Sequence, residues 1–199
     1  MLVVQRARGD VAMTTVKTVD FMPRRKDISR ADFRQHYEER HAPLAVPLFP
    51  FRRYRRNHLV DQGIEPGFDC VSEFWVSSLE AIGALMTGET GETMRADERK
   101  FLDQVANIAV RADPVLVDND TGTRLLMIHD DGGKSDALIE ACRKVGAGLD
   151  LLSPLDERKS PFAAIARIGD TAPTLPPGWR AGPTLSVTLT ETDPATLQG

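Results

Sequence analysis

The stretch from Ser29 to Val60, SRADFRQHYEERHAPLAVPLFPFRRYRRNHLV, decides the fold of this chain. Its first part predicts a helix that begins at Ser29, whose hydroxyl can cap the helix while Asp32 completes a capping box. Pro43 is expected to end this helix, because proline lacks a backbone N–H and disfavours helical geometry in the residue before it. The arginine-rich segment 51–60 then predicts a strand.

One face of the predicted helix carries a candidate for chemistry. Phe33, Tyr37 and His41 recur every four residues and therefore share a face that points towards the core. An imidazole has an ordinary pKa of about 6.5, so His41 could act as a general acid or base, or donate a hydrogen bond to a substrate oxygen. The alternative is a structural histidine that satisfies backbone carbonyls beside Pro43.

Composition narrows the class of protein. The chain has 199 residues, of which 41% are hydrophobic and 27% charged, and its net charge is −4. This length suits one large or two small domains, and the charge gives no general attraction to nucleic acid or to an anionic membrane. The local excess of arginine over residues 24–56 comes without a recognition-helix or base-stacking motif, so no nucleic-acid partner is expected.

The location predicted from the sequence is cytoplasmic. Cys70 and Cys142 lie far apart without CxxC spacing, which is typical of buried thiols in a reducing compartment. No apolar run approaches the roughly 20 residues that span a bilayer, and the first residues lack the apolar centre of a signal peptide. Residues 1–12 are interpreted as a loose extension, and Met13 as an alternative start.

The order of predicted elements in the first part is β-α-β-β-α-β. This order is typical of a ferredoxin-like split β-α-β unit, an α+β fold with two helices on one face of an antiparallel sheet. Near the end of the last strand, Asp113-Pro114 indicates a bulge or an edge position. The predicted strands are 16–22, 51–60, 70–76 and 108–117, and the predicted helices are 29–40, 77–86 and 92–106.

The second part has the element order of a degenerate second unit. Strands are predicted at 124–129, 149–155, 162–168 and 184–190, with one helix at 135–145 capped by Ser135, and a proline-rich loop replaces the second helix. We therefore divide the chain into domains 13–117 and 123–199, joined by a polar linker. The two units could close one barrel within the chain, which the four strands slightly favour, or the first units could pair in a homodimer.

Several motifs together resemble the EthD family, named for ethyl tert-butyl ether degradation. They are Phe33 and Tyr37 with His41-Ala42-Pro43, the Arg-Tyr-x-x-Asn strand at 53–57, and Asp97-Glu98 before Phe101. The resemblance covers about residues 16–117 and implies a dimeric α+β barrel, in which two ferredoxin-like sheets close around a central pocket. Related barrels include cofactor-independent monooxygenases, lactone isomerases, aromatic cyclases and decarboxylases, and the fold alone does not choose among them.

A carboxylate beside a buried helix face is the second candidate for the site. In the predicted helix 92–106 an apolar stripe is formed by Met94, Phe101 and Val105, and Asp97 and Glu98 flank it. Asp97 could orient His41 or act as a base. The alternative is a surface salt bridge with the neighbouring basic residues.

The arginine-rich strand has no purely apolar face, so one face is expected to line a polar cavity or an interface. Alternation places Tyr54 and His58 on the same face as Arg52 and Arg56, and these two could bind the oxygen of a substrate. The strand's arginines could hold an anion, although interface salt bridges are the preferred interpretation. The predicted substrate-binding set is Tyr37, Tyr54, His58, Asn57 and Trp75.

Motifs for bound groups are missing from the sequence. The four histidines show no HxxxH or HxH spacing, and no GxGxxG, GxxxxGK[ST] or GxSxG motif is present. No metal and no cofactor are therefore expected. The leading hypothesis is a cofactor-independent lyase or isomerase that acts on a small carbonyl or phenolic compound, with His41 and Asp97 as its catalytic pair. The alternatives are a non-catalytic small-ligand-binding or accessory protein and a cofactor-independent monooxygenase.

Overall fold

Eight antiparallel strands form a closed barrel in the computed structural model, which describes residues 15–198. The predicted extension over residues 1–12 and the start at Met13 lie outside the described residues. The strands are β1 (Val16–Met22), β2 (Phe51–Leu59), β3 (Cys70–Val76), β4 (Ile108–Leu116), β5 (Arg124–Asp130), β6 (Gly148–Pro154), β7 (Ala164–Ile168) and β8 (Trp179–Glu191). The α-helices are α1 (Arg30–His36), α2 (Ala42–Ala45), α3 (Leu79–Thr87), α4 (Glu89–Glu98) and α5 (Ser135–Lys144).

The strand order around the barrel is β1-β3-β2-β8-β5-β7-β6-β4, and β4 returns to β1. The first four strands are neighbours in the order fourth, first, third, second, and so are the last four. The two groups meet where β2 pairs with β8 and where β4 pairs with β6. A single chain therefore supplies the whole barrel, which is the closure that the sequence slightly favoured over pairing between two copies.

Pro43 does not end the first helix, which corrects the sequence prediction. The segment Tyr37–His41 forms a π-helical turn between α1 and α2, and the N–H of Ala42 donates to the carbonyl of Tyr37 five residues earlier. The wider turn shifts the hydrogen-bond register, so Pro43 stands in the first turn of α2, where its missing N–H is tolerated. The predicted capping box of Ser29 and Asp32 is present.

Helix α4 ends at Glu98 and does not continue to residue 106. The next residues turn back to β1, where Leu102 forms a bridge with Arg24 and the N–H of Asp103 donates to Pro23. Val105 is consequently 91% exposed, so its predicted place in an apolar stripe was wrong. Helix α5 likewise begins without a side-chain cap: Lys134 holds the cap position that we assigned to Ser135.

The barrel lumen is packed with side chains, which corrects the expectation of a central pocket. Buried apolar residues fill most of it, and they come from both groups of strands, for example Val19, Val71, Leu125 and Met127. On β2 the lumen side carries Arg55 and Asn57, whereas Tyr54, Arg56 and His58 face outwards beneath the first helices. A register shift between Phe51 and Arg53 moves Phe51 to the outer side, against the simple alternation predicted from the sequence.

The remaining apolar residues form one cluster beneath the first helices and another beneath α5. Within residues 15–198, no helix combines the length and the apolar character required to cross a membrane.

Candidate functional site

A cavity of about 700 Å³ lies between the outer face of the first four strands and the helices that cover them. Most of its wall is apolar and includes Phe49, Phe51, Phe74, Leu79, Ile82, Met86 and Met94. The polar part of its wall comes from Thr18, Asp20, His41, Tyr54, Arg95, Glu98, Gln104 and Asn107. A space of this size and character suits a small, largely apolar molecule that carries few polar groups.

His41 lines this cavity, and Asp97 contacts it from outside the cavity wall. The π-helical turn places the His41 ring so that its Nδ1 lies 3.1 Å from Oδ2 of Asp97, and both side chains are buried. The other oxygen, Oδ1, lies 3.0 Å from Nε2 of His36, and the His36 ring stacks on Phe101. Because the carboxylate only accepts, Nδ1 of His41 carries a proton and Nε2 is the ring nitrogen available to a ligand.

The charge states of this pair suit proton transfer. Burial lowers the pKa of His41, and the hydrogen bond that His41 donates to Asp97 offsets this only in part, so the ring is neutral near pH 7. Burial alone would raise the pKa of Asp97, but hydrogen bonds from His36 and His41 bring it below its usual value. An ionised carboxylate thus holds a neutral imidazole, which is the arrangement of a general base with an orienting partner.

Tyr37 and Tyr54 form a buried hydrogen-bonded chain behind the cavity. The Tyr54 hydroxyl donates to the Tyr37 hydroxyl at 3.0 Å, and the Tyr37 hydroxyl lies 2.7 Å from Oγ of Ser72. Burial raises the pKa of both phenols, so they stay protonated at neutral pH. Of the two, Tyr54 contributes to the cavity wall, and Tyr37 lies behind it.

His58, Asn57 and Trp75 are not brought to this cavity. His58 is buried beneath α1 with its Nε2 2.5 Å from Glu38, and although burial opposes its charge, Cys70 and Glu38 raise its pKa to about 9. Asn57 and Trp75 are on the lumen side of the sheet. The pleat of a strand sends successive side chains to opposite faces, and residue composition alone did not show which face the helices cover.

The lumen holds a network of buried charges at one end. Glu73 pairs with Lys17 at 2.7 Å and also with Arg167, while Asn57 donates to Glu73 at 2.7 Å. Burial would raise the pKa of Glu73, but these cations lower it to about 2. A smaller cavity of about 350 Å³ beside Trp75 is lined by this network and by Arg53. Most of its charged groups pair with one another, so we interpret it as part of the structure that closes the barrel.

Sequence reasoning missed Asp20 and His36. In β1, the alternation of VKTVDFM places Thr18 and Asp20 on one face. A carboxylate on a strand face that helices cover is the sequence signal that could have identified Asp20. His36 falls off the stripe defined by four-residue spacing. The π turn changes this spacing, so that His36 and His41, five residues apart, reach the same carboxylate.

Among residues 15–198, no group of three or more His, Cys, Asp or Glu side chains has an arrangement that could hold a metal ion.

The fold and the cavity define a mixed α/β barrel protein with a small-molecule-sized pocket beneath its helices. A comparison with protein-family models adds the particular family, since the EthD domain matches residues 25–104. This matching part of the chain, which is similar to an EthD domain, contributes α1 to α4, His41 and Asp97. The family resemblance seen in the sequence is thus confirmed. A search of curated proteins finds no match.

Solved structures that are similar to the chain include the following three. An EthD family protein from Bacillus halodurans C-125 is 21% identical with a TM-score of 0.37, over 45% of this chain and 88% of its own. A presumed monooxygenase from Lactobacillus acidophilus NCFM is 11% identical with a TM-score of 0.45, over 77% and 75%. A presumed chlorite dismutase is 8% identical with a TM-score of 0.51, over 88% of this chain and 95% of its own. This last similarity shows a common α+β barrel fold.

Proposed function

We propose that this protein is a cofactor-independent lyase or isomerase whose reaction begins with proton transfer to His41. The observation that supports this most directly is the His41–Asp97 pair at the wall of an apolar cavity. The imidazole is buried, neutral near pH 7 and held at Nδ1 by a carboxylate at 3.1 Å, which directs the proton-accepting function to Nε2.

The expected substrate is a small carbonyl or phenolic compound that is mostly apolar. Side chains such as Phe49, Phe74 and Met86 line most of the cavity and would bury an aromatic or aliphatic body. The few polar groups of the cavity wall, which include Tyr54, would orient one or two oxygens of the substrate. His58, which the sequence also suggested for this role, is bound to Glu38 outside the cavity and is not included.

In the proposed first step, Nε2 of His41 takes a proton from a carbon next to the substrate carbonyl or from a phenol oxygen. Asp97 keeps the Nδ1 proton in place and stabilises the imidazolium that forms. Return of the proton to a second position gives an isomer, and loss of a group from the intermediate gives a lyase product. Neither outcome needs an oxidant.

A non-catalytic binding protein is the alternative that the geometry disfavours. It would be supported by an entirely apolar cavity and by a His41 ring bound to backbone carbonyls. The ring is instead bound to a carboxylate, and part of the cavity wall is polar. A monooxygenase would differ from the proposal by consuming oxygen with an aromatic substrate, which an oxygen electrode measures directly.

The test is hydrogen–deuterium exchange in D₂O with acetophenone and related aryl ketones, followed by proton NMR of the hydrogens next to the carbonyl. The wild-type protein should accelerate their exchange, and His41→Ala should lose about 10²–10⁴-fold of that rate. His129→Ala, which changes a histidine of β5 outside the cavity, is the matched control. If His41→Ala exchanges as fast as the wild type, the assignment of His41 is wrong.

We also propose that residues 13–117 and 123–199 are two ferredoxin-like split β-α-β units in a cytoplasmic protein. Their common strand order supports this interpretation, and the second unit would be the one that lost a helix. Neither nucleic acid nor a membrane is proposed as a partner. A homodimer stays a prediction, which the molar mass from light scattering would test.

A further inference from the structure

Asp20 is an acidic residue of the cavity that the proposed reaction has not yet used. It lies near the centre of β1, on the outer face, opposite Ala109 of β4 and Ser72 of β3. It lines the same cavity as His41 and is half-buried. An ionised carboxylate in this position destabilises the folded protein unless a hydrogen bond or an opposite charge compensates its charge.

The surroundings of Asp20 differ from those of the other buried carboxylates. Glu73 is paired with Lys17 and Arg167, and Asp97 is held by two histidines. Asp20, by contrast, forms no ion pair within residues 15–198. The side chain of Asn107 favours its ionised form.

The charged groups that face Asp20 come from several elements. Glu98 of α4 repels its ionised form, and Arg158, from the loop after β6, attracts it weakly because Arg158 is itself bound to Asp156. His41 and Arg95 line the same cavity. Burial is the largest effect and Glu98 adds to it, so that the pKa of Asp20 is raised to about 7.

We propose that Asp20 is the second proton-transfer group of this site and that it protonates the carbonyl oxygen of the substrate while His41 removes a proton from the neighbouring carbon. The proposal rests on the proposed function of His41. It narrows the substrate class to enolisable ketones and aldehydes, because these molecules carry both a carbonyl oxygen for Asp20 to protonate and a neighbouring C–H for His41 to deprotonate.

The proton balance of this step is complete. His41 gains the proton that the carbon loses, Asp20 loses its proton to the carbonyl oxygen, and the product is a neutral enol. Reversal of both transfers at the same carbon restores the ketone and gives the exchange. In a β,γ-unsaturated ketone, return of the carbon proton to the γ carbon moves the double bond, gives the conjugated isomer and restores the protein. The two groups have opposite perturbations, a base whose pKa is lowered and an acid whose pKa is raised, and each is in its required form near neutral pH.

This assignment predicts a particular pH profile for aryl-ketone exchange. The rate should rise with pH as His41 loses its proton, and should fall as pH rises through about 7, where Asp20 ionises. Asp20→Asn should lower the rate by about 10²-fold or more and remove the alkaline limb. Asn107→Ala should move that limb to higher pH, because the side chain of Asn107 favours the ionised form of Asp20.

The matched control is Asp136→Asn, which makes the same chemical change on the exposed first turn of α5. If His41→Ala abolishes exchange while Asp20→Asn retains the wild-type rate and profile, the role of Asp20 is wrong and that of His41 stands. If His41→Ala retains the wild-type rate, the proposed function itself fails.

A measurement without turnover keeps the proposal testable if acetophenone is not a substrate. Carbon-13 NMR of aspartate-labelled protein should show one carboxyl that titrates near pH 7, that is missing in Asp20→Asn and that shifts when acetophenone is added. A signal that titrates near pH 4, or one that acetophenone does not shift, would overturn the assignment.

Discussion

The two halves of the barrel have the same strand order, and the cavity belongs almost entirely to the first. Its walls come from residues 18–109, apart from Leu155. In the second half, α5 packs on the sheet, and the residues between them, Leu138 and Cys142 among others, are fully buried. A common sheet architecture therefore gives a site only where the helices leave space above the strands.

The first strands of the halves show how the sequence produces this difference. The outer face of β1 carries Thr18 and Asp20, whereas the corresponding face of β5 carries Leu126 and Ile128, which are buried beneath α5. Apolar side chains on β5 favour tight packing of the helix. Polar side chains on β1 are kept accessible by the cavity.

The largest expected effect comes from the lumen, which the two halves share. Glu73→Gln should destabilise the protein by about 3–5 kcal/mol, because it leaves Arg167 buried without its carboxylate and leaves Lys17 with Asp150 alone. Urea unfolding followed by circular dichroism measures the change. The control Glu140→Gln removes an exposed pair with Arg143 and should change stability by less than about 0.5 kcal/mol. Equal effects of the two substitutions would contradict a structural role for the network.

The next prediction compares packing in the two halves. Leu138→Ala should cost about 2–5 kcal/mol, since Leu138 is fully buried on the face of α5 that packs on the sheet and its truncation opens a void. Ile82→Ala should cost clearly less, because Ile82 already borders the open cavity and is only half-buried. The free energies of unfolding, measured in urea, decide the order. If Ile82→Ala costs as much as Leu138→Ala, the first half is as tightly packed as the second.

A smaller effect is expected from the carboxylate that holds His41. Asp97→Asn should reduce aryl-ketone exchange by about 10²-fold while the protein stays folded, because an amide neither fixes the Nδ1 proton nor stabilises the imidazolium as well. Lys100→Ala, which removes an exposed partner of Asp97, is the control and should retain most of the rate. A fully active Asp97→Asn would show that His41 does not depend on this contact.

The smallest effect concerns the outer face of β2, where Glu38 contacts His58. The pKa of His58 is raised to about 9, so its contribution to stability is complete below its ordinary pKa of 6.5 and is lost as pH rises through about 9. Glu38→Gln should reduce the fall in Tm between pH 7 and pH 10. The corresponding change in the free energy of unfolding should be about 1 kcal/mol or less. The neighbouring Glu39→Gln should leave that fall unchanged, and the reverse result would contradict the assignment.

Much of the fold could be predicted because it follows local rules. The bounds of β1 and β3 agree with the prediction, and each of the other strands was found at its place in the order. Alternation of apolar and polar residues identifies the strands, and the capping box of Ser29 identifies the start of α1. The register shift near Pro114 agrees with the bulge expected there.

The failures have a common physical origin in tertiary contacts. Pro43 continues a helix because a π turn precedes it, and α4 stops because the following residues bind to the end of β1. No local pattern shows which face of β2 the helices cover, so Asn57 and Trp75 were grouped with the cavity. The contact between His41 and Asp97 was predicted from the sequence, whereas Asp20 and His36 required the structure.

The measurement that tests the central claim most directly is a crystal structure of the protein soaked with acetophenone. We predict that the ketone binds in the cavity of the first half, with its reacting carbon facing Nε2 of His41, Asp97 on Nδ1 and the carbonyl oxygen towards Asp20. An empty cavity, or a ketone bound elsewhere with His41 out of reach, would contradict the proposal that this half of the barrel carries the chemistry.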